Sequence, residues 1–421
     1  MNNKLWQSLA NFWKIPELRA KVLFTAGLIL IYRFGCHVPV PGVDVEAIQS
    51  LGKGSAGGVF NLMNLFSGGA LLKVAVFALG IMPYITASII MQLMTVVIPK
   101  LEALSKEGEQ GQKEITKYTR WLTVCLAAVQ ALGYVFLFRD LGAFPKGLTP
   151  SLALIVIVTL TAGAAAVMWM GELITARGIG NGMSIMIFIS IISRLPAGLA
   201  QMTTMNVFEQ VGIVVVAVAM IVAVIWITTG ERRIPVQYAK RVVGRKMMGG
   251  ASTYIPLKVN MAGVIPVIFA TSVMMIPSAF ASLAGRNVAM TWFTGTFGPN
   301  RIWYLFGEVF FIVVFTYFYT AVTFNPIDQA DNLKKYGGFV PGVRPGRPTA
   351  EFLDRILTRL TLPGALFLAA VVVVPWVLTQ LMNVPFYLGG TSLLIVVGVA
   401  LDTMRQMEAQ LLMRNYEGFL K

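Results

Sequence analysis

Few side chains in this sequence stand where they could do chemistry. His37 is the one histidine in 421 residues, and Cys36 and Cys125 are isolated, with no CxxC pair. A zinc site needs three or four nitrogen, sulfur or carboxylate ligands, and no Glu or second His stands at ligand spacing from His37. Zinc and disulfide chemistry are therefore not expected; the two thiols read as structural and His37 as a packed or interfacial residue. The string Gly52-Lys53-Gly54-Ser55 lacks the GxxxxGK[ST] order of a phosphate loop, so it reads as a flexible linker. Ser184, in GNGMSIM, has no GxSxG turn, and its only histidine partner would sit at the opposite end of another span. An ion-coupled transporter places ionisable groups at mid-membrane, whereas Arg33, Glu172, Glu308 and Asp402 all fall near the ends of apolar stretches. No catalytic residue, metal or cofactor is expected. An inverted-repeat secondary transporter of small solutes stays as the alternative reading.

The elements that must position these residues are membrane spans. The chain is 56% hydrophobic and 13% charged, the composition of a polytopic membrane protein. Ten windows are apolar enough to be spans: 22–38, 74–98, 121–138, 151–171, 183–200, 211–229, 259–283, 302–324, 361–382 and 386–401. No small-residue cleavage site follows the first, which reads as a retained span. The two tails and the loops after spans two, four, six and eight hold 26 of the 34 Lys and Arg and 14 of the 19 Asp and Glu, a net +12. By the positive-inside rule both termini are cytoplasmic. Five spans per half is an odd number, so the halves enter from opposite sides, the inverted plan that builds a central site.

Between the first two spans, Gly57-Gly58 and Gly68-Gly69 fence Val59, Phe60, Asn61, Leu62, Met63, Asn64, Leu65 and Phe66. As a helix the nine residues to Ser67 rise only about 13 Å, far short of the roughly 30 Å hydrocarbon core. Val59, Leu62, Met63 and Phe66 share one face and Asn61 and Asn64 the other. It reads as an interfacial filler or as a movable piece beside a pore. Ile81/Ile85 and Met183/Ile187 are i, i+4 pairs that each present one helix face; alone, such pairs read as ordinary core. Gln92, Gln130 and Asn260 lie in or at the edge of apolar spans, where an unpaired amide costs about 2 kcal/mol or more, so bonds across helices are expected. Pro83, Pro266 and Pro277 kink spans two and seven. Leu5, Trp6, Leu9, Phe12 and Trp13 form an apolar stripe beside Lys4 and Lys14, as an interfacial helix does. The sixth loop carries Arg232, Arg233, Lys240, Arg241, Arg245, Lys246 and Lys258 against Glu231 alone, and the eighth carries Arg344 and Arg347 near Pro341 and Pro345. Such charge runs set topology, yet these loops are longer than topology requires.

The ordered stretches VPVPGVD, FSGGAL, ALGIMPYITASIIMQL, RGIGNGMSIMIF, IPVQYAKR, PLKVNMAGVIPVIFA, FNPIDQADNLKKYGGFVPGVRPG and GGTSLLIVVGVALD resemble, over roughly Ile15 to Phe419, the SecY family, the central subunit of the bacterial protein-conducting channel. The resemblance implies an all-α membrane protein. Its ten transmembrane helices form two inverted five-helix halves around a central pore, with a short plug helix after helix 1. The expected organisation is a cytoplasmic amphipathic segment 1–21, an N-terminal half 22–200 with the plug at about 57–69, a C-terminal half 201–401 with cytoplasmic loops at about 230–258 and 325–360, and a cytoplasmic tail 402–421. Carried over, the pore ring is Ile81, Ile85, Met183, Ile187, Ile268 and Ile395. The family ring is usually isoleucine, and methionine, longer and unbranched, flexes more. Val59–Phe66 is the plug, Gln92, Gln130 and Asn260 line a lateral gate, and the basic loops dock the SecA motor and the ribosome, whose phosphates attract Lys and Arg. SecE, SecG, unfolded preproteins, signal sequences and membrane lipids complete the implied partners, in the bacterial plasma membrane.

Overall fold

The computed structural model describes residues 15–49, 64–140, 142–145, 147–203, 206–238, 241–243, 246–248, 252–283, 301–382 and 390–417. Its helices begin where the sequence supplies starts. Helix α1, Pro16–Gly35, has proline in its first turn beside Glu17. A short α2, Val45–Gln49, follows, and then α3, Met82–Val97, again with proline in its first turn. Helix α4, Pro99–Lys106, turns off α3 by 100° at Pro99, which cannot continue the hydrogen-bond ladder. Helix α5 covers Glu109–Asp140, and α6 covers Pro150–Arg177, where Thr149 Oγ1 accepts from Leu152 N–H at 3.3 Å. Asn181 caps α7, Gly182–Ile192, its Oδ1 accepting from the N–H groups of Met183 and Ser184. Helix α8 is Leu195–Met202, and Asn206 with Glu209 forms a capping box at the start of α9, Val207–Thr229.

After the strands described below come α10, Ile265–Leu283, α11, Ile302–Thr323, and α12, Pro326–Lys335. The 36-residue α13, Arg347–Met382, contains Pro363 and Pro375, and α14 is Gly390–Glu417. Among the described residues six helices are long and apolar enough to cross a membrane, seven if the bent α3–α4 pair is one span.

Two expectations are corrected. The expected all-α architecture gives way to a mostly helical one with two small sheets. Strands β1, Glu231–Tyr238, and β4, Ser252–Lys258, pair antiparallel from Glu231↔Lys258 to Gln237↔Ser252, and β5, Gly338–Phe339, joins β1 at Gln237 and Tyr238; β2, Arg241–Val243, and β3, Lys246–Met248, form the other sheet. Burial alternates along β1: Ile234 and Val236 are buried while Arg233, Pro235 and Gln237 are exposed, so one face can close on a core. Pro235 lies where β1 has only β4 beside it, and Pro256 lies in edge strand β4, as a residue without an N–H requires.

The second correction concerns span two, expected from residue 74. Helix begins only at Met82, because residues 67–81 form consecutive turns. Val38 and Val40 exchange backbone bonds with Val76 and Val74, Val74 sits at φ 45°, and Gly80 at φ 57° turns the chain into α3. Apolar composition put residues 74–81 in a span; the backbone bonds to Val38 and Val40 make them part of a turn-rich core instead.

The chain divides into two compact units. One is Met1–Thr204, Thr271–Leu305 and Val399–Lys421; the other is Met205–Ala270 and Phe306–Gly398. The first has a core of Val40, Ile48, Leu71, Val74, Phe138, Val156 and Leu160 with their neighbours. There a Cβ at Gly163 would come within 2.0 Å of the Val76 carbonyl oxygen, so α6 and the turns touch backbone to backbone. The second unit buries Ile234, Val236, Leu257, Leu333, Leu353 and Leu357 beneath its sheet.

Candidate functional site

In the first unit α1, α7 and the turns after the glycine-fenced segment meet in a polar knot. Tyr32 is buried and its hydroxyl lies 2.6 Å from Ser190 Oγ. Because Ser190 Oγ itself donates to the Met186 carbonyl at 2.8 Å, the tyrosine hydroxyl is the donor. The Tyr32 ring stacks on Phe77 at 5.9 Å. Arg33 Nη1 donates to the Gly68 carbonyl at 2.9 Å, Ser193 Oγ reaches the same oxygen at 3.5 Å, and Cys36 Sγ lies 3.9 Å from the Ser67 carbonyl.

Of the glycine-fenced segment, Val59, Phe60, Asn61, Leu62 and Met63 lie outside the described residues, while Asn64, Leu65 and Phe66 form a helical turn, all three buried. Asn64, placed with Asn61 on the polar face opposite Val59, Leu62, Met63 and Phe66 and so expected toward water, is instead 0% exposed. Its Oδ1 accepts from Leu72 N–H at 3.2 Å and its carbonyl accepts from Ser67 Oγ and Gly69 N–H. Helical periodicity assigned its face; the tight turn at 67–69 instead folds the chain back over it, and its oxygens hold that turn.

The two aliphatic pairs lie in the same unit. Ile81 and Ile85 are buried at the start of α3, joined by the Ile85 N–H to Ile81 carbonyl bond of 3.1 Å. On α7, Ile187 is buried and Met183 half-buried, its sulfur 2.4 Å from where a Cβ of Gly171 would stand. Helices α6 and α7 touch at two glycines, since a Cβ at Gly182 would lie 1.9 Å from the Gly171 carbonyl oxygen. In the second unit Ile268 on α10 and Ile395 on α14 are both buried.

At the N-terminal end of α7, the loop Gly178–Asn181 is clasped from two sides. Thr25 Oγ1 accepts from Ile179 N–H at 3.3 Å, and Leu18 and Ile179 pack with Ile15, Val22, Met407 and Leu411. The tail beyond Asp402, about which the sequence says little, therefore continues α14 and covers the entry of α7; its apolar spacing, Met407 to Leu411, was the available signal.

The expected amide bonds across helices take another form at Asn260. Its Nδ2 donates to the Gly263 carbonyl at 2.9 Å within its own loop, and among the described residues Oδ1 has no partner. Gln92 Oε1 is likewise buried without one among the described residues, and Gln130 is half-buried on α5. An ion pair, Arg120 Nε to Glu172 Oε1 at 2.8 Å, joins α5 to α6.

Of the basic loop residues, Arg232 and Arg233 are exposed on β1. Arg233 pairs with Glu231 at 2.7 Å and lies 4.8 Å above the Tyr254 ring; the Glu231 bond first, and then the ring, raise its pKa further, so its charge is permanent. Arg241 and Lys246 belong to β2 and β3, while Lys240 and Arg245 lie outside the described residues. Arg344 is exposed at a turn whose shape is held by Thr349 Oγ1 donating to its carbonyl at 2.8 Å. Arg347, expected in a loop, opens α13 and pairs with Glu351 at 3.1 Å.

The geometry thus offers packed aliphatic surfaces, an anchored re-entrant turn and exposed cations, a set that can shape a passage or bind a partner but has no group aimed at bond chemistry. The SecY family model matches residues 75–404. The Protein translocase subunit SecY of Streptomyces scabiei is 50% identical over 439 residues, covering 98% of this chain and 99% of that protein. Among solved structures, one concerned with the SecY plug domain, which there stabilises the closed state of the translocation channel and maintains a membrane seal, aligns with TM-score 0.61 at 19% identity, covering 92% of this chain and 91% of its own. Sec61 in the canine ribosome-channel complex aligns with TM-score 0.62 at 16% identity over the same shares.

Proposed function

Because this chain belongs to the SecY family, we propose that its aliphatic pairs, anchored turn and basic loops are the parts of a pore that passes unfolded polypeptide. The chain is a multi-pass membrane protein and a protein-conducting translocase subunit, not an enzyme. The observation that carries this is identity at half of all positions along 98% of the chain to a translocase subunit. Nothing among the relatives supports the solute-transporter alternative, and it is set aside.

In our reading, the ten spans are α1, residues 74–98 with α3, α5, α6, α7 with α8, α9, α10, α11, α13 and α14, grouped as inverted halves 22–200 and 201–401 with cytoplasmic termini in the bacterial plasma membrane. Ile81, Ile85, Met183, Ile187, Ile268 and Ile395 form the constriction. A ring of this kind blocks ions by letting water retreat, and it conforms to any passing side chain because it coordinates none. Val59–Phe66 rests on its outer side as the plug; the plug of the SecY structure above seals its own channel. Gln92, Gln130 and Asn260 border the lateral exit, as uncharged polar groups in or at the edge of apolar spans that can bond across helices. Arg232, Arg233, Lys240, Arg241, Arg245, Lys246, Arg344 and Arg347 receive the ribosome and the SecA motor, with SecE and SecG as companion subunits; the ribosome-bound Sec61 channel supports the first of these.

The experiment is reconstitution. Purified chain with SecE, SecG and SecA moves an unfolded preprotein into vesicles, and absence of transport with active partners sinks the reading. Deleting Val59–Phe66 raises ion conductance; an unchanged conductance removes the plug.

A further inference from the structure

Arg33 has no role in the pore as drawn so far. It is a charged group at the outer end of an apolar helix, and such groups face the protein and pair with carbonyls. Its acceptor is the Gly68 carbonyl, 2.9 Å away and two residues beyond the buried turn Asn64–Phe66. Gly68 and Gly69 both have positive φ, 65° and 89°, so the chain reverses there. A Cβ at Gly68 would stand 3.1 Å from Arg33 Nη1 and 3.3 Å from Ser190 Cα. The turn is therefore pressed between α1 and α7, and Tyr32, next to Arg33, ties those helices together through Ser190.

We propose that Arg33 is a positioning residue that latches the Ser67–Gly69 turn into the slot between α1 and α7, holding the preceding plug segment in place until α7 moves. The latch rests on the plug reading given above. A charged donor on a carbonyl is a strong bond at 2.9 Å, yet a shift of about 1 Å takes it out of hydrogen-bond range, so the slot releases the turn sharply. Ser193 cannot replace it: its Oγ donates to the Ser190 carbonyl at 2.7 Å and reaches Gly68 only at 3.5 Å.

The test reconstitutes the full chain with SecE and SecG in vesicles and reads ion leak and transport of a preprotein with a defective signal sequence. Arg33→Met is expected to raise both by about tenfold or more, Arg33→Lys to restore part of the seal, and Ser193→Ala to change neither by more than about twofold. Deletion of Val59–Phe66 serves as reference. If the deletion leaks and Arg33→Met does not, the latch is wrong and the plug stands; if neither leaks, the plug reading fails and the latch with it. A stability loss without leak or relaxed signal requirement overturns the latch. Should Arg33→Met fail to fold, Arg33→Lys decides, and wild-type leak and signal requirement in that variant overturn it too.

Discussion

Replacing Gly182 by alanine is expected to separate α6 from α7. The new Cβ would lie 1.9 Å from the Gly171 carbonyl oxygen and 2.8 Å from both the Gly171 carbonyl carbon and Ile174 Cβ. A carbon and a carbonyl oxygen settle no closer than about 3.3 Å, so the two backbones must part by more than about 1 Å. The obstructing atoms are main chain, and no rotamer change absorbs the clash. Overpacking of this kind costs about 1–3 kcal/mol. The separation also stretches the bond from Gly182 N–H to Thr175 Oγ1, now 2.9 Å, adding about 1 kcal/mol. Gly171→Ala should cost less, because the atom it meets is the flexible Met183 sulfur at 2.4 Å. Gly212→Ala on α9 and Gly27→Ala on α1 meet nothing within 4 Å and should be neutral or stabilising by up to about 1 kcal/mol. The assay is thermal unfolding of the four purified variants in detergent, read by tryptophan fluorescence. The expected order of Tm places Gly182→Ala lowest and Gly171→Ala next. Gly182→Ala melting level with Gly212→Ala would refute the backbone contact on which the placement of Met183 and Ile187 depends.

Thr25→Val keeps the shape of the side chain but strands the buried Ile179 N–H, so a loss of about 1–3 kcal/mol is expected, with Thr25→Ser close to wild type in the same melts. Tyr32→Phe leaves the stack on Phe77 intact and removes the bond to Ser190; a double-mutant cycle with Ser190→Ala should give a coupling of about 1 kcal/mol, and a coupling of zero would remove the knot. For Arg120 and Glu172 the arginine side chain is 52% exposed, so their cycle should give less than about 1 kcal/mol, declining as salt is raised; a salt-independent value would contradict it. Arg344→Ala should impair motor-driven transport into vesicles without lowering Tm, since only the main chain of Arg344 is held.

Periodicity was informative where one helix face was enough. The spacing of Ile81 with Ile85 and of Met183 with Ile187 names residues that the fold places at the start of α3 and on α7, with Ile81, Ile85 and Ile187 buried and Met183 half-buried. It misled at residues 74–81, where Val74, Phe77 and Ala78 have span composition but a turn conformation and Ala75 forms a bridge to Pro39. Their backbone partners lie at residues 38–40, and no local pattern carries that pairing. The β-hairpin of the sixth loop was visible in the alternation of RRIPVQY, but Arg and Pro within it read as a charged connector.

By itself the sequence determined the class, the charged side and the apolar faces, because hydropathy, Lys and Arg placement and the 3.6-residue period are properties of contiguous residues. Only the tertiary structure decided that Arg33 holds Gly68, that Asn64 is buried, that Asn260 bonds within its own loop and that the tail covers Ile179. In the first three cases the partner is a backbone group, which every residue offers alike. Side-chain identity therefore leaves no trace of these bonds until the chain has folded.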